Sequence, residues 1–170
     1  DQYSNFARIG EGSLGGKGRG LAFIDHILKR HTDLNEKPGV QVRIPKTVVL
    51  CTGVFDEFMD SNELYFTALS ELPDEEILKQ FLRSRLPMRL LADLGAFLQV
   101  VDKPIAIRSS SLLEDSHYQA FAGVYSTYMI PFVTDKYDRL SMLSDAIKAV
   151  YASVFFRSSK DYMTATSNVI

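Results

Sequence analysis

The chain has one cysteine, Cys51, set in an apolar run. One thiol supports no internal disulfide framework and no cysteine-rich metal site. The histidines, His26, His31 and His117, have no second His or Cys at ligand spacing, so a metal centre of that kind is not expected. No apolar run approaches the length of a membrane-spanning helix, and no signal peptide is visible. We therefore expect no membrane partner and a cytoplasmic location. Charge is nearly balanced, with 19 Lys and Arg against 21 Asp and Glu and a net charge of −2. That balance does not favour binding to nucleic acid or to an anionic membrane. Gly-x-Ser-x-Gly does not occur, which excludes the nucleophile turn of a serine hydrolase. Internal repeats, low-complexity tracts and long heptad runs are missing too.

What is present is ordinary globular composition. Of 170 residues, 46% are apolar or aromatic and 24% are charged, which suits one domain with a core or two small subdomains. The chain begins at Asp1 and ends at Ser167-Asn168-Val169-Ile170 without a stopping signal. We expect residues 1–170 to be part of a longer protein.

Patterning predicts a mixed set of elements. Phe6-Ala7-Arg8-Ile9 suits a short extended piece. An amphipathic helix is expected from about Lys17 to Arg30, with Leu21, Ile24 and Leu28 on one face. Residues 42–50 are β-rich, with Pro45 at a strand start or edge. Thr52 is a good N-cap for a helix from about Gly53 to Asp60. Residues 62–73 are ambiguous. Asp74-Glu75-Glu76 opens a further helix, Pro87 interrupts it, and another runs from about Met88 to Val100. Strands are expected at Ile105–Ile107 and Val124–Met129, then one long helix from about Lys136 to Arg157. The fold class read from this order is α/β, of α+β type: a small mixed β-sheet flanked by helices.

Two polar stretches carry the chemistry. The first is Gly10-Glu11-Gly12-Ser13-Leu14-Gly15-Gly16-Lys17-Gly18-Arg19-Gly20. Gly10-x-Gly12-x-x-Gly15 fits a dinucleotide pattern only if a strand precedes it and an acid ends a second strand. A Walker A loop is absent, because Gly18 follows Gly16-Lys17 where Ser or Thr is required. What remains is a glycine turn that delivers Lys17 to a helix N-terminus. Backbone N–H groups there suit a phosphate; a flexible connector reads almost as well.

The second stretch is Ile105-Ala106-Ile107-Arg108-Ser109-Ser110-Ser111-Leu112-Leu113-Glu114-Asp115. A strand would deliver a guanidinium and several hydroxyls to its C-terminal end, which is what a phosphate needs. Glu114 or Asp115 could hold Mg²⁺. The structural alternative is a capping box, Ser111-x-x-Glu114, with Arg108 paired to Asp115.

Taken together and in order, four stretches resemble the ATP-binding domain of phosphoenolpyruvate synthase and pyruvate phosphate dikinase. They are Gly15-Gly16-Lys17-Gly18 with Leu21-Ala22; Ile44-Pro45 through Val48-Val49 with Thr52 and Phe58; Ala106-Ile107-Arg108-Ser109-Ser110 with Glu114-Asp115, Ala120-Phe121-Ala122-Gly123 and Tyr125-x-Thr127-Tyr128; and Tyr151-Ala152-Ser153-Val154-Phe155 with Arg157. The resemblance runs from about Ser13 to Tyr162. Departures are Lys46-Thr47 where the family usually has Pro-Gly, Ser111-Leu112 in place of Ala-Thr, and Tyr151 in place of a tryptophan.

The resemblance implies the first portion of an ATP-grasp-like nucleotide-binding domain. In that family ATP phosphorylates a histidine on a separate swivelling domain, and the phosphoryl group passes to pyruvate in a third. It implies ATP and Mg²⁺ as cofactors, with the metal ligands and adenine contacts beyond Ile170. That moves Glu114 and Asp115 towards ordering their loop. Phosphate contacts fall on Lys17 and Arg108, with Arg108 the catalytic cation. Nucleotide-binding residues are expected at Gly15, Gly16, Lys17, Arg108, Ser109, Ser110 and Gly123. The expected partners are the phosphohistidine and pyruvate-binding domains of the parent protein. The fragment alone is expected to be inactive. Two alternatives remain: a regulatory or interaction domain that keeps the fold without chemistry, and a related dikinase that phosphorylates a glucan or a rifamycin antibiotic.

Overall fold

Phe6–Ile9 forms strand β1 and pairs in parallel with β2, Thr47–Leu50, in the register Phe6 to Thr47 and Ile9 to Leu50. These residues come from a computed structural model of the chain, which describes residues 5–31, 33, 38–39, 41, 43–110 and 127–167, without the side chains of 162, 163 and 165–167. The chain divides into two units, Asp1–Val54 with Ser110–Ala120, and Phe55–Ser109 with Phe121–Ile170.

In the first unit, β1 leads through the glycine turn into helix α1, Gly15–Arg30. The helix starts two residues before the expected Lys17, inside the glycine run. Four of its first six residues are glycine, each disfavouring helix by about 1 kcal/mol relative to alanine. Something outside local propensity must therefore hold its first turn. Its expected apolar face is only partly used: Leu21 and Leu28 are half-buried, while Phe23 is 65% and Ile24 45% exposed. Lys29 and Arg30 stand in the last turn, where the helix dipole favours positive charge. β2 is shorter than the β-rich run at 42–50, and Pro45 lies before it, as a residue lacking an N–H should.

The second unit is mostly helical. Helix α2, Thr52–Ser61, begins in the first unit and continues into this one. The ambiguous stretch holds a single turn, α3, Tyr65–Ala68. Helix α4, Asp74–Arg83, ends ahead of Pro87, and α5 is Met88–Val100. Strand β3, Ile105–Arg108, pairs antiparallel with β4, Thr127–Ile130. Expected strand positions 124–126 lie outside the described residues. Helix α6 spans Lys136–Ser153 and packs against α4, α5, β3 and β4. Ile77 and Phe81 of α4, Leu90, Leu94 and Leu98 of α5, and Leu143, Ile147 and Val150 of α6 are buried. Phe58 and Phe81 meet edge to face at 5.9 Å, and Phe58 and Tyr151 lie 5.5 Å apart. Full burial of a phenylalanine contributes about 2–3 kcal/mol.

Three cations fasten helix ends in this unit. Arg139, 8% exposed, donates to the carbonyls of Leu98 at 3.0 Å and Val101 at 2.6 Å, closing the C-terminus of α5. Its guanidinium also lies 4.8 Å over the Phe132 ring. Lys148 donates to the carbonyls of Leu82 at 2.8 Å and Ser84 at 3.2 Å, at the end of α4. Lys160 donates to the Ser70 carbonyl at 2.6 Å, just after α3. Each satisfies carbonyls that a helix end leaves without a partner.

The expected single helix from Lys136 to Arg157 is two helices. α6 stops at Ser153, and α7 runs Arg157–Ser167. Ser153 turns its hydroxyl onto the Val150 carbonyl at 2.7 Å, and Ser159 donates to the Ser153 carbonyl at 2.9 Å. Serine hydroxyls bonded to backbone in this way compete with helix continuation. The new start is capped from afar: the Arg157 N–H donates to the Asp74 carboxylate at 2.8 Å.

The described strands thus form one parallel and one antiparallel two-stranded ladder within a largely helical chain, an α+β arrangement.

Candidate functional site

The glycine turn is gripped by the N-terminus of α2. The Cys51 N–H donates to the Ile9 carbonyl at 2.9 Å, Thr52 N–H to Ser13 at 3.0 Å, and Gly53 N–H to Glu11 at 2.8 Å. Ser13 N–H returns a bond to the Thr52 hydroxyl oxygen at 2.9 Å. Thr52 therefore does not use its side chain to cap its own helix, as its sequence position suggested. Gly12, at φ +100°, is where this grip needs glycine: a Cβ there would lie 2.4 Å from the Thr52 hydroxyl.

On its far side the turn enters α1. The residue before the helix, Leu14, has no side chain able to cap it. Two serines supply the capping. Ser13 Oγ accepts the Gly15 N–H at 3.1 Å, and Ser110 Oγ accepts the Gly18 N–H at 2.9 Å. Ser110 Oγ also donates to the Leu14 carbonyl at 3.0 Å. Gly15, at φ +75°, must be glycine for a second reason. A Cβ on it would fall 1.4 Å from the Ser110 carbonyl oxygen.

The helix N-terminus that results is half-satisfied. The Gly16 N–H has no acceptor among the described residues. Lys17 stands on the same first turn, partly buried. Donor groups and positive dipole together make an anion-compatible surface. Of the sequence-predicted nucleotide residues, Gly15, Gly16, Lys17 and Ser110 belong to this first unit.

Arg108 and Ser109 belong to the second unit. Arg108 is the last residue of β3, opposite Thr127 of β4, and is exposed. Its guanidinium has no hydrogen-bond or ion-pair partner among the described residues. Gly123, Glu114, Asp115 and Ser111 lie outside the described residues, and with them the capping-box alternative and the Arg108–Asp115 pair. Among the described residues no group of three His, Cys, Asp or Glu side chains could hold a metal ion. No described helix is long and apolar enough to cross a membrane.

A separate open cavity of about 440 Å³ in the second unit is lined by Glu71, Arg157, Lys160, Asp161 and Thr164. Its Arg157 is already held by Glu71 at 2.9 Å and Asp161 at 3.0 Å, so it offers no unbound cation to an anionic ligand.

The β1–turn–α1–β2 order meets the geometric half of a dinucleotide fingerprint: a strand leads directly into Gly10 and the next strand is parallel to it. The chemical half fails. The residues that end β2, Leu50-Cys51-Thr52, carry no acid for a ribose.

Sequence reasoning placed Gly15, Lys17 and Ser110 at one site, and the structure puts all three at the start of α1. It missed the bond between Ser13 and Thr52 and that between Gly18 and Ser110, because these partners lie 39 and 92 residues apart.

No curated protein and no solved structure matches the chain. A family model, that of the pyruvate phosphate dikinase AMP/ATP-binding domain, matches residues 11–168. That span takes in both units and all four of the resembling stretches, and the chain belongs to the pyruvate phosphate dikinase AMP/ATP-binding domain family.

Proposed function

We propose that this chain is the first portion of the ATP-binding, ATP-grasp-like domain of a longer phosphotransferase of the phosphoenolpyruvate synthase or pyruvate phosphate dikinase type. The observation that carries the reading is the family match over residues 11–168. The glycine turn adds physical support, since it presents Lys17 and the Gly16 N–H, which has no acceptor among the described residues, at one helix N-terminus.

ATP supplies the transferable phosphoryl group, which goes first to a histidine on a separate domain and then to pyruvate. The chain's own residues bind and orient. The Gly16 amide and Lys17 of the first unit take phosphate oxygens, and Arg108 of the second unit supplies a further phosphate contact. Ser109 and Gly123 complete the nucleotide contacts. Phosphoryl transfer depends chiefly on positioning and charge neutralisation, which is what fixed cations provide. Mg²⁺ belongs to this chemistry, with its carboxylate ligands supplied by the part of the domain beyond Ile170. With only part of the nucleotide cleft, the chain alone binds ATP weakly and does not turn over.

The test is ATP-dependent phosphorylation of the partner histidine in the full-length protein. Lys17→Ala and Arg108→Ala each lower the rate by about 100-fold, the scale of losing one fixed donor to developing charge. Unchanged phosphorylation in both variants would mean a domain that keeps the fold without the chemistry. Formation of phosphoenolpyruvate by residues 1–170 alone would overturn the fragment reading.

A further inference from the structure

We propose that Ser110 is a positioning residue of the nucleotide site: its hydroxyl sets the first turn of α1 and does not itself hold phosphate. The inference rests on the ATP reading above and assigns Ser110 a different task from the ligand contact expected of it.

A serine hydroxyl has one hydrogen to donate and two lone pairs to accept with. The hydrogen of Ser110 is committed to the Leu14 carbonyl at 3.0 Å, and one lone pair takes the Gly18 N–H at 2.9 Å. A phosphate oxygen with no proton only accepts. The Ser110 hydroxyl has no hydrogen left to give it while both bonds stand.

The same two bonds span the first turn of α1, from Leu14 before it to Gly18 within it. That turn is rich in glycine, its N-cap residue Leu14 has no capping side chain, and Ser13 reaches only the Gly15 N–H, so the rest of its shape comes from outside. Ser110 supplies it from 92 residues away. The fit is close on the other side too. Gly15 has its α-carbon against the Ser110 backbone, where a Cβ would stand 1.4 Å from the carbonyl oxygen and 2.7 Å from Oγ. Gly15 and Ser110 thus act as one joint. With Ser13 on the Gly15 N–H and Ser110 on the Gly18 N–H, the Gly16 N–H between them has no acceptor among the described residues. The hydroxyls take up the flanking Gly15 and Gly18 donors and so fix the direction in which the Gly16 N–H points.

The experiment uses the intact protein and measures equilibrium binding of MgATP and of AMP, together with hydrogen exchange at the Gly18 amide. Ser110→Ala weakens MgATP about tenfold, weakens AMP less, and speeds Gly18 exchange about tenfold. Ser110→Cys keeps the size but bonds more weakly, and falls between wild type and Ser110→Ala on both readouts. A general loss of stability would instead weaken both nucleotides alike. Wild-type MgATP affinity in Ser110→Ala, alongside weakened binding in Lys17→Ala, overturns the role of Ser110 and leaves the ATP reading intact. Lost MgATP binding with unchanged Gly18 exchange means that the hydroxyl contacts phosphate directly, and overturns the inference. An intact protein that binds no MgATP overturns both readings.

Discussion

Ser13 and Thr52, 39 residues apart, are joined by two reciprocal hydrogen bonds: Thr52 N–H to the Ser13 carbonyl at 3.0 Å, and Ser13 N–H to the Thr52 hydroxyl at 2.9 Å. The pair ties the glycine turn to the start of α2. A flexible connector becomes a fixed support for the α1 N-terminus. Fixing matters because an anion site made of backbone N–H groups works only if those groups already point at the ligand.

Replacing Thr52 by valine keeps the side-chain shape and removes the acceptor of the Ser13 N–H. We expect a loss of about 1 kcal/mol in unfolding free energy, the usual net value of one hydrogen bond. Urea denaturation of Thr52→Val and Thr52→Ser checks this, with the serine variant retaining most of the stability.

Arg139 and Lys148 hold the C-termini of α5 and α4 by their carbonyls. Removing either charge leaves buried or partly buried carbonyls without these partners, so Arg139→Leu costs about 2 kcal/mol and Lys148→Leu about 1 kcal/mol. Arg139→Lys recovers only part of the loss. One ammonium does not reproduce the guanidinium fork that reaches both Leu98 and Val101. Thermal unfolding of the three variants tests the ranking.

Tyr65 titrates above the ordinary tyrosine value of 10.0, raised first by burial and then by the carboxylates of Asp56 and Asp60. The folded state therefore holds the phenolic proton more tightly than the unfolded chain does. Its stabilising effect is complete below pH 10 and is lost as pH rises through the folded-state value. Absorbance titration of the phenolate should show a late transition that Tyr65→Phe removes. Asp56→Asn with Asp60→Asn should bring it part of the way back, burial being the larger cause.

Much of the fold was legible because it follows local rules. Pro87 and Pro104 bracket α5, the acids of Asp74-Glu75-Glu76 sit in the first turn of α4, and Asp135 caps α6 through the Tyr137 and Asp138 N–H groups. Phe6–Ile9 and Ile105–Arg108 are strands where β-type residues stand between turn signals. What misled was nonlocal. The apolar stripe of residues 136–157 continues past Ser153, but hydroxyl-to-carbonyl bonds and the distant Asp74 divide it. Thr52 has the chemistry of an N-cap, yet its oxygen serves another segment. Ser110 has the chemistry of a phosphate donor, and its hydroxyl also reaches Leu14 and Gly18, far away in sequence. In each case the residue type was right and the partner was too far along the chain to be read.

The central claim is that ATP phosphates bind at the N-terminus of α1, beside Lys17 and the Gly16 amide. Equilibrium binding of MgATP to the intact protein and to its Lys17→Ala variant tests it most directly. The account predicts saturable binding that weakens at least about tenfold in the variant, about 1.4 kcal/mol, with the fold intact. Equal affinity in the two proteins would contradict it.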